Sequence, residues 1–239
     1  MNPAEEARYR EWKGWTDESF GCCTRSLAAS FEDELALCGL RGVPGCRVLE
    51  LGFGNGAFAA WASGRGMEYS GTEVNSVLVD RGRAHGYDVH LEDAAFAGRF
   101  SPDSFDVVVA FDVLEHLSPE ALAGCLQQVR RCLRPGGLLL ARVPSGDSPF
   151  SRAIQHGDLT HLTTLGSSAV EQLVGANGFE VLQLREPAYP LRGGGVLSAV
   201  RRATVRVVRA VSYPLIAAVF MGGGSPVLTP NMVFVLRKQ

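Results

Sequence analysis

Val48-Leu49-Glu50-Leu51-Gly52-Phe53-Gly54-Asn55-Gly56-Ala57-Phe58 decides the fold of this 239-residue chain. The apolar run reads as a strand, the three glycines as a tight turn, and Gly56–Ser63 as the start of a helix. Glycines in such a turn accept left-handed backbone angles and carry no Cβ to block a ligand, while the free N–H groups of the helix start attract a carboxylate or phosphate. On spacing alone, Gly52-x-Gly54-x-x-Ala57 also fits the dinucleotide-binding fingerprint.

Outward from this stretch the chain alternates short β-branched or Leu-rich runs with helical patterns, the rhythm of βαβ units and an α/β fold. Seven strands are expected: Cys46–Leu51, Tyr69–Glu73, Asp88–Leu91, Phe105–Phe111, Leu138–Val143, Glu180–Leu184 and Asn231–Leu236. The fourth and fifth are nearly continuous apolar runs, which places them centrally, covered on both faces. Helices are expected over Ser76–His85, Pro119–Cys132 and Ser167–Asn177. Ser118-Pro119 supplies an N-cap and a first-turn proline for the second of these, and Arg134-Pro135-Gly136-Gly137 follows it as a turn. Residues 1–45 read as an N-terminal helical cap with Trp12, Trp15, Phe20 and Phe31 as packing anchors; residues 46–239 form the main domain.

The composition, with 46% apolar and 20% charged residues and a net charge of −2, excludes a disordered chain, a disulfide scaffold and a globally basic nucleic-acid binder. Six cysteines without paired metal-ligand spacing read as reduced thiols, and no metal centre is expected. The charged N-terminus holds no apolar stretch suited to a signal peptide, so a cytoplasmic location is expected.

Acidic residues mark the C-terminal edge of the expected sheet: Glu50 before the first glycine, Glu73 at the end of the second strand, Asp93 after the third and Asp112 after the fourth. Open α/β sheets bind ligands at that edge. At these residues the sequence resembles the class I S-adenosylmethionine (SAM)-dependent methyltransferases of the small-molecule branch. ELGFGNG (Glu50–Gly56), GTEVN, LEDA, FDVVVAFDVLEHL and LRPGGLLL stand in the family's order. The resemblance implies a Rossmann-like, doubly wound seven-stranded sheet of order 3-2-1-4-5-7-6 with the last strand antiparallel. It implies SAM as cofactor and S-adenosylhomocysteine as product. Gly52, Gly54 and Gly56 would pass beneath the methionine part and Glu73 would bind the ribose. Asp93 would reach the adenine amino group, Val74 and Ala94 would flank the ring, and Asp112 would lie near the methionine. Glu50 would organise the loop.

For a hydroxyl acceptor the chemistry needs a base, and histidine has a suitable pKa. His116 begins the rim after the fourth strand. His161 lies in a loop expected over the cofactor, with Asp158 placed to orient it. His85 and His90 read as surface residues. The Asp158-x-Thr160-His161 loop and the N-terminal Tyr9–Gly21 segment resemble methyltransferases of polysaccharide and glycolipid assembly, which implies a sugar hydroxyl as acceptor and a cap whose Trp12, Lys13 and Trp15 face it. An NAD-dependent oxidoreductase and a non-catalytic SAM-binding module are the competing readings. Nucleic-acid methylation is disfavoured, because Asp112-Val113-Leu114-Glu115 stands where an Asn/Asp-Pro-Pro-Tyr/Phe motif is required.

The last 50 residues carry seven basic residues and no acid. Between the sixth and seventh strands, residues 187–230 form an insertion far longer than a hairpin needs. Leu197, Val200, Thr204, Val207, Val208 and Val211 share one helical face; Arg201, Arg202, Arg206 and Arg209 lie opposite. The plain expectation is an apolar face packed on the domain or on a second subunit, with solvated arginines. The alternative is peripheral membrane contact through 196–221 and a lipid-linked acceptor. The apolar stretch Ala210–Met221 is too short to span a bilayer by itself.

Overall fold

The computed structural model describes residues 3–40, 44–93, 98–222 and 226–239. Its centre is one sheet of seven strands in the order β3-β2-β1-β4-β5-β7-β6. These are β1 (Arg47–Leu51), β2 (Glu68–Glu73), β3 (Asp88–Leu91), β4 (Phe105–Phe111), β5 (Leu133–Pro144), β6 (Phe179–Arg185) and β7 (Asn231–Lys238). Strands β1 to β5 run parallel, and β7 pairs antiparallel with both β5 and β6.

The period of two along β4 distributes the core. Val107 and Val109 face one layer with Phe31, Leu35, Phe58, Trp61 and Leu78; Val108 and Ala110 face the other with Leu122, Leu126, Val129 and Val174. All four β4 residues are fully buried, as a strand covered on both faces must be. The first layer is built by α2 (Arg25–Leu37), α3 (Ala57–Gly64) and α4 (Ser76–Ala84), which follow α1 (Pro3–Lys13) in the helix numbering. The second is built by α5 (Pro119–Cys132) and α7 (Ser167–Asn177), with the short α6 (Arg152–Gln155) between them. Ser118 caps α5 by accepting the Ala121 N–H at 3.3 Å, with Pro119 in the first turn, as its sequence requires.

Two boundaries differ from the sequence reading. The turn Arg134–Gly137 does not precede β5 but lies inside it: Leu133 already pairs with Phe105, and Gly136 at φ 74° absorbs an irregular register before Val107 pairs with Leu138. The C-terminal insertion forms one helix, α8 (Val196–Phe220), of 25 residues, which runs through Pro214 without breaking. The 12-residue apolar stretch is thus part of a helix that by length and composition is sufficient to cross a membrane.

The insertion also reverses the expected packing. Arg202 turns inward, donating to the Pro190 carbonyl at 2.6 Å and to Ser26 Oγ at 2.5 Å. Both Arg202 and Arg209 lie 5.5 Å from the Tyr189 ring, and Arg209 approaches Glu186 at 3.9 Å. The apolar stripe therefore points away from the domain, and Ala217 is the one buried residue of the helix. The insertion's own loop supplies the partners of this face: carbonyls, an aromatic ring and a carboxylate for the arginines.

Candidate active site

Strand order reverses between β1 and β4, and at that switch point the carboxyl ends of the strands open into a cavity of about 780 Å³. Its size suits a cofactor and a small acceptor together. Glu50, Gly52, Gly54, Glu73, Val74, Asp93, Asp112 and His116 all line it, so the topology brings together most of the residues singled out from the sequence. Ala94 lies outside the described residues.

The glycine turn is built as its composition demands. Gly52, Gly54 and Gly56 have φ of 61°, 53° and 71°, angles that L side chains rarely adopt. A Cβ on Gly52 would stand 2.6 Å from Val113, one on Gly54 2.9 Å from Trp15, and one on Gly56 3.0 Å from Phe20. The N-terminal cap thus rests directly on the turn through Trp15 and Phe20.

Glu73 accepts N–H bonds from Gly54 at 3.0 Å, Val74 at 2.8 Å and Asn75 at 3.0 Å. Burial raises its pKa, and these three bonds oppose the rise. They fix both carboxylate oxygens and leave about one acceptor direction for a ligand hydroxyl. Glu50 is buried and accepts the Tyr69 hydroxyl at 2.7 Å. Burial, helped by the nearby Glu73, pushes its pKa up to about 8 against the opposing Tyr69 hydrogen bond, so the carboxyl is largely protonated near neutral pH.

Asp112 sits at φ 59° directly after β4, a left-handed position that Asp tolerates better than most side chains. Its carboxylate is held by both ends of the Arg142 guanidinium, whose Nε donates at 2.9 Å. Arg142 also lines the cavity, 5.3 Å from the Phe111 ring. The signal that could have found it was an arginine inside the otherwise apolar run Leu138–Val143.

The histidines separate into two positions. His116, closing the short 3-10 turn Leu114–His116, lies on the cavity wall. His161 does not; its side chain is 6% exposed and packs edge to face behind His116, with centroids 4.7 Å apart. The His161 Nδ1 pairs with the Gln155 carbonyl at 3.0 Å. Its Nε2 is 3.8 Å from Asp158 and 3.9 Å from Glu115, beyond hydrogen-bond reach, so the expected Asp158–His161 dyad is not formed. Asp158 acts instead on Thr160, whose N–H and hydroxyl both donate to Oδ1, at 3.0 and 2.5 Å. The Thr160 Oγ1 is 2.9 Å from His116 Nδ1. Since the threonine proton is committed to Asp158, this geometry selects the tautomer with the proton on His116 Nδ1 and leaves the Nε2 lone pair free.

Charges follow the same logic. Burial, with His161 adding to it, lowers the His116 pKa below its ordinary value. Burial pushes Asp158 up, but the Thr160 hydrogen bonds and Lys13 more than offset that and lower it. Burial and Asp112 push Glu115 up to about 8. Glu115, His116 and His161 also bring one ligand atom each within 4.8 Å of one another, a spacing that a metal ion can use.

From the cap, Lys13 and Trp15 face the cavity as expected, joined by Tyr9; Trp12 is 58% exposed and does not. Lys13 instead stacks over the Trp12 ring at 4.6 Å and pairs with Asp158 at 3.5 Å. Leu27, Phe31, Phe111 and Leu162 complete largely apolar walls. His85 and His156 are exposed away from the cavity, and His90 pairs with Asp88 at 3.1 Å on the sheet's edge strand.

Comparison with known proteins agrees with this architecture. A family described as a methyltransferase domain matches residues 20–184. A ubiquinone biosynthesis O-methyltransferase of Alkalilimnicola ehrlichii is 30% identical over 112 residues, covering 44% of this chain and 44% of that protein. A highly reducing polyketide synthase of Emericella nidulans is 34% identical over 112 residues, 41% of this chain and 4% of the synthase. The chain thus spans less than half the length of these curated relatives. The crystal structure of a SAM-dependent methyltransferase from Archaeoglobus fulgidus superposes with a TM-score of 0.62 at 16% identity, covering 88% of this chain and 94% of that one. At that identity the likeness establishes the Rossmann-like methyltransferase fold.

Proposed function

Because the chain belongs to the methyltransferase-domain family, we propose that it transfers the methyl group of SAM to a hydroxyl of a small-molecule acceptor, with His116 as general base. Bound at the glycine turn, SAM supplies a methyl already activated on a sulfonium. The residues fit that cofactor: the turn's glycines carry no side chain of their own into the cavity, Glu73 presents a fixed acceptor to a ribose hydroxyl, and Asp93 and Val74, on the same cavity wall, would hold the adenine ring. Glu50 and Asp112, both on the cavity wall, would stand near its cationic portion, Asp112 already paired with Arg142.

The observation that carries the reading is the chain Asp158–Thr160–His116. It leaves His116 Nε2 unprotonated on the wall of the same cavity. Nε2 takes the acceptor's hydroxyl proton as the oxygen gains the methyl, and Asp158 steadies the resulting imidazolium through Thr160. Lys13, Tyr9 and the aromatic walls orient the acceptor and keep water out, and such positioning supplies on the order of 7–11 kcal/mol.

A sugar hydroxyl of a glycan or glycolipid precursor is the acceptor the N-terminal segment and the Asp158–His161 loop favour. The ubiquinone-biosynthesis relatives are O-methyltransferases too, and the C–H face of a ring-bearing acceptor would pack on Trp15, Phe31 and Phe111. A cytoplasmic protein working beside a membrane fits both. Calorimetry with SAM, S-adenosylhomocysteine and NAD tests the cofactor. Micromolar binding of both adenosyl ligands, lost in Glu73→Ala, is expected; binding of NAD alone overturns the reading.

A further inference from the structure

A 25-residue helix normally hides its apolar stripe and wets its charges; α8 does the opposite. Leu197, Val200, Val207, Val208, Val211, Leu215 and Val219 are all exposed, Leu197 at 84% and Val211 at 71%. Meanwhile Arg202 and Arg209 are spent on Ser26, Pro190, Tyr189 and Glu186. An outward valine and leucine stripe from Leu197 to Val219, about 33 Å at 1.5 Å per residue, is far beyond a scatter of single surface apolar residues.

We propose that the outward face of α8 lies flat on an anionic lipid bilayer. Charge selects this occupant. The last 50 residues contain no acid; Arg201, one turn from Leu197, remains exposed at the edge of the stripe, where it meets anionic headgroups while the valines enter the acyl boundary, and Arg206, exposed on the other side of the helix, adds to the positive charge near the surface. A second copy offering the same face would bring another Arg201 to the seam with no acid on either helix to pair it. A spanning arrangement would first have to tear Arg202 and Arg209 from the domain, so the helix lies on the membrane and does not cross it.

The docking also ties the membrane-bound helix to one wall of the cavity. Arg202 holds Ser26 in the first turn of α2, and the next residue, Leu27, lines the cavity. A Cβ on Gly193 would stand 2.5 Å from the Arg25 carbonyl, so the insertion's loop is seated on the same turn. Lipid under α8 is therefore one helix away from the cavity's Leu27 wall, and a membrane-borne acceptor, one with an apolar tail and a hydroxylated head, is the class the site would draw on. This last step rests on the methyltransferase reading; the docking itself does not.

The test is flotation of the full chain with vesicles of phosphatidylcholine alone or with about 30% phosphatidylglycerol, for wild type, Val207→Asp/Val211→Asp and Arg201→Gln/Arg206→Gln. These side chains face solvent, so folding is retained, and SAM calorimetry on the same samples reports separately on the cofactor site. Wild type is expected to float with the anionic vesicles, at least tenfold less without phosphatidylglycerol, and each variant at least tenfold less than wild type. Wild type remaining unbound, or binding undiminished in Val207→Asp/Val211→Asp, overturns the docking. So does a wild-type dimer, dispersed by the valine variant, that ignores vesicles and assigns the face to a second copy.

Discussion

His116 and His161 meet edge to face, yet only His116 reaches the cavity; the Asp158 carboxylate controls the outer ring through Thr160 and leaves the inner one at 3.8 Å. Removing the base in His116→Ala is expected to slow single-turnover transfer by about 10²–10⁴-fold without weakening SAM binding. Thr160→Val, which breaks the relay but keeps the imidazole, is expected to cost less. His161→Ala should act mainly through the packing of His116, with a correspondingly smaller rate loss. Because the His116 pKa is lowered, the acidic limb of the rate profile is expected below pH 6.5, and to disappear in His116→Ala. Full rate in that variant would remove the base assignment.

Glu50 couples cofactor binding to protons. Its pKa of about 8 in the buried pair with Tyr69 means that the carboxyl carries a proton near pH 7, and a cation placed beside it favours the ionised form. SAM binding at pH 7 is therefore expected to release protons. Calorimetry in buffers of different ionisation enthalpy reads that release directly, and it should vanish in Glu50→Gln.

The same shift has a sign for stability. Glu50 and Glu115, both pushed up to about 8 from an ordinary value near 4.5, bind more protons folded than unfolded. Their contribution is complete below pH 4.5 and is lost as pH rises toward 8. The ligand-free protein is expected to melt at progressively lower temperature from pH 5 to 8, and Glu50→Gln/Glu115→Gln to flatten that slope. A slope unchanged in the double variant would contradict the buried protonated pair.

Much of this was legible because local patterns and global topology agree. The glycine turn, the alternating strands and the Ser118-Pro119 cap each have a period or a local steric signature, and apart from β5, which starts at Leu133, each formed at or near its expected bounds. The relay was not legible. Asp158, Thr160 and His161 are neighbours in sequence, which suggested a local dyad, whereas the contact that matters joins Thr160 to His116 across 44 positions. The orientation of α8 was hidden for a related reason. A helical wheel separates apolar from basic faces, but which face packs depends on what the opposing surface offers. Here that surface is Ser26, Tyr189 and Glu186, residues no periodicity associates with the helix.

Gly54 is expected to tolerate no side chain. At φ 53° an alanine meets about 1–2 kcal/mol of backbone strain, and its Cβ would press on the Trp15 ring. For a chain of this length that corresponds to about 2–8 °C in Tm. The measurement is a melting curve of Gly54→Ala beside its SAM affinity; a stability loss accompanied by unchanged binding would separate the turn's folding role from any cofactor role.

The clustering of Glu115, His116 and His161 sets base catalysis and metal binding in competition for the His116 imidazole. If His116 Nε2 is the base, a chelator leaves the rate unchanged, and added Zn²⁺ inhibits by occupying that imidazole, with the chelator restoring activity. His161→Ala, which removes one ligand but keeps the base, should be several-fold less sensitive to Zn²⁺. The converse pattern, activity lost to chelator and restored by a divalent ion, would make the cluster a metal centre and displace His116 from its role as base.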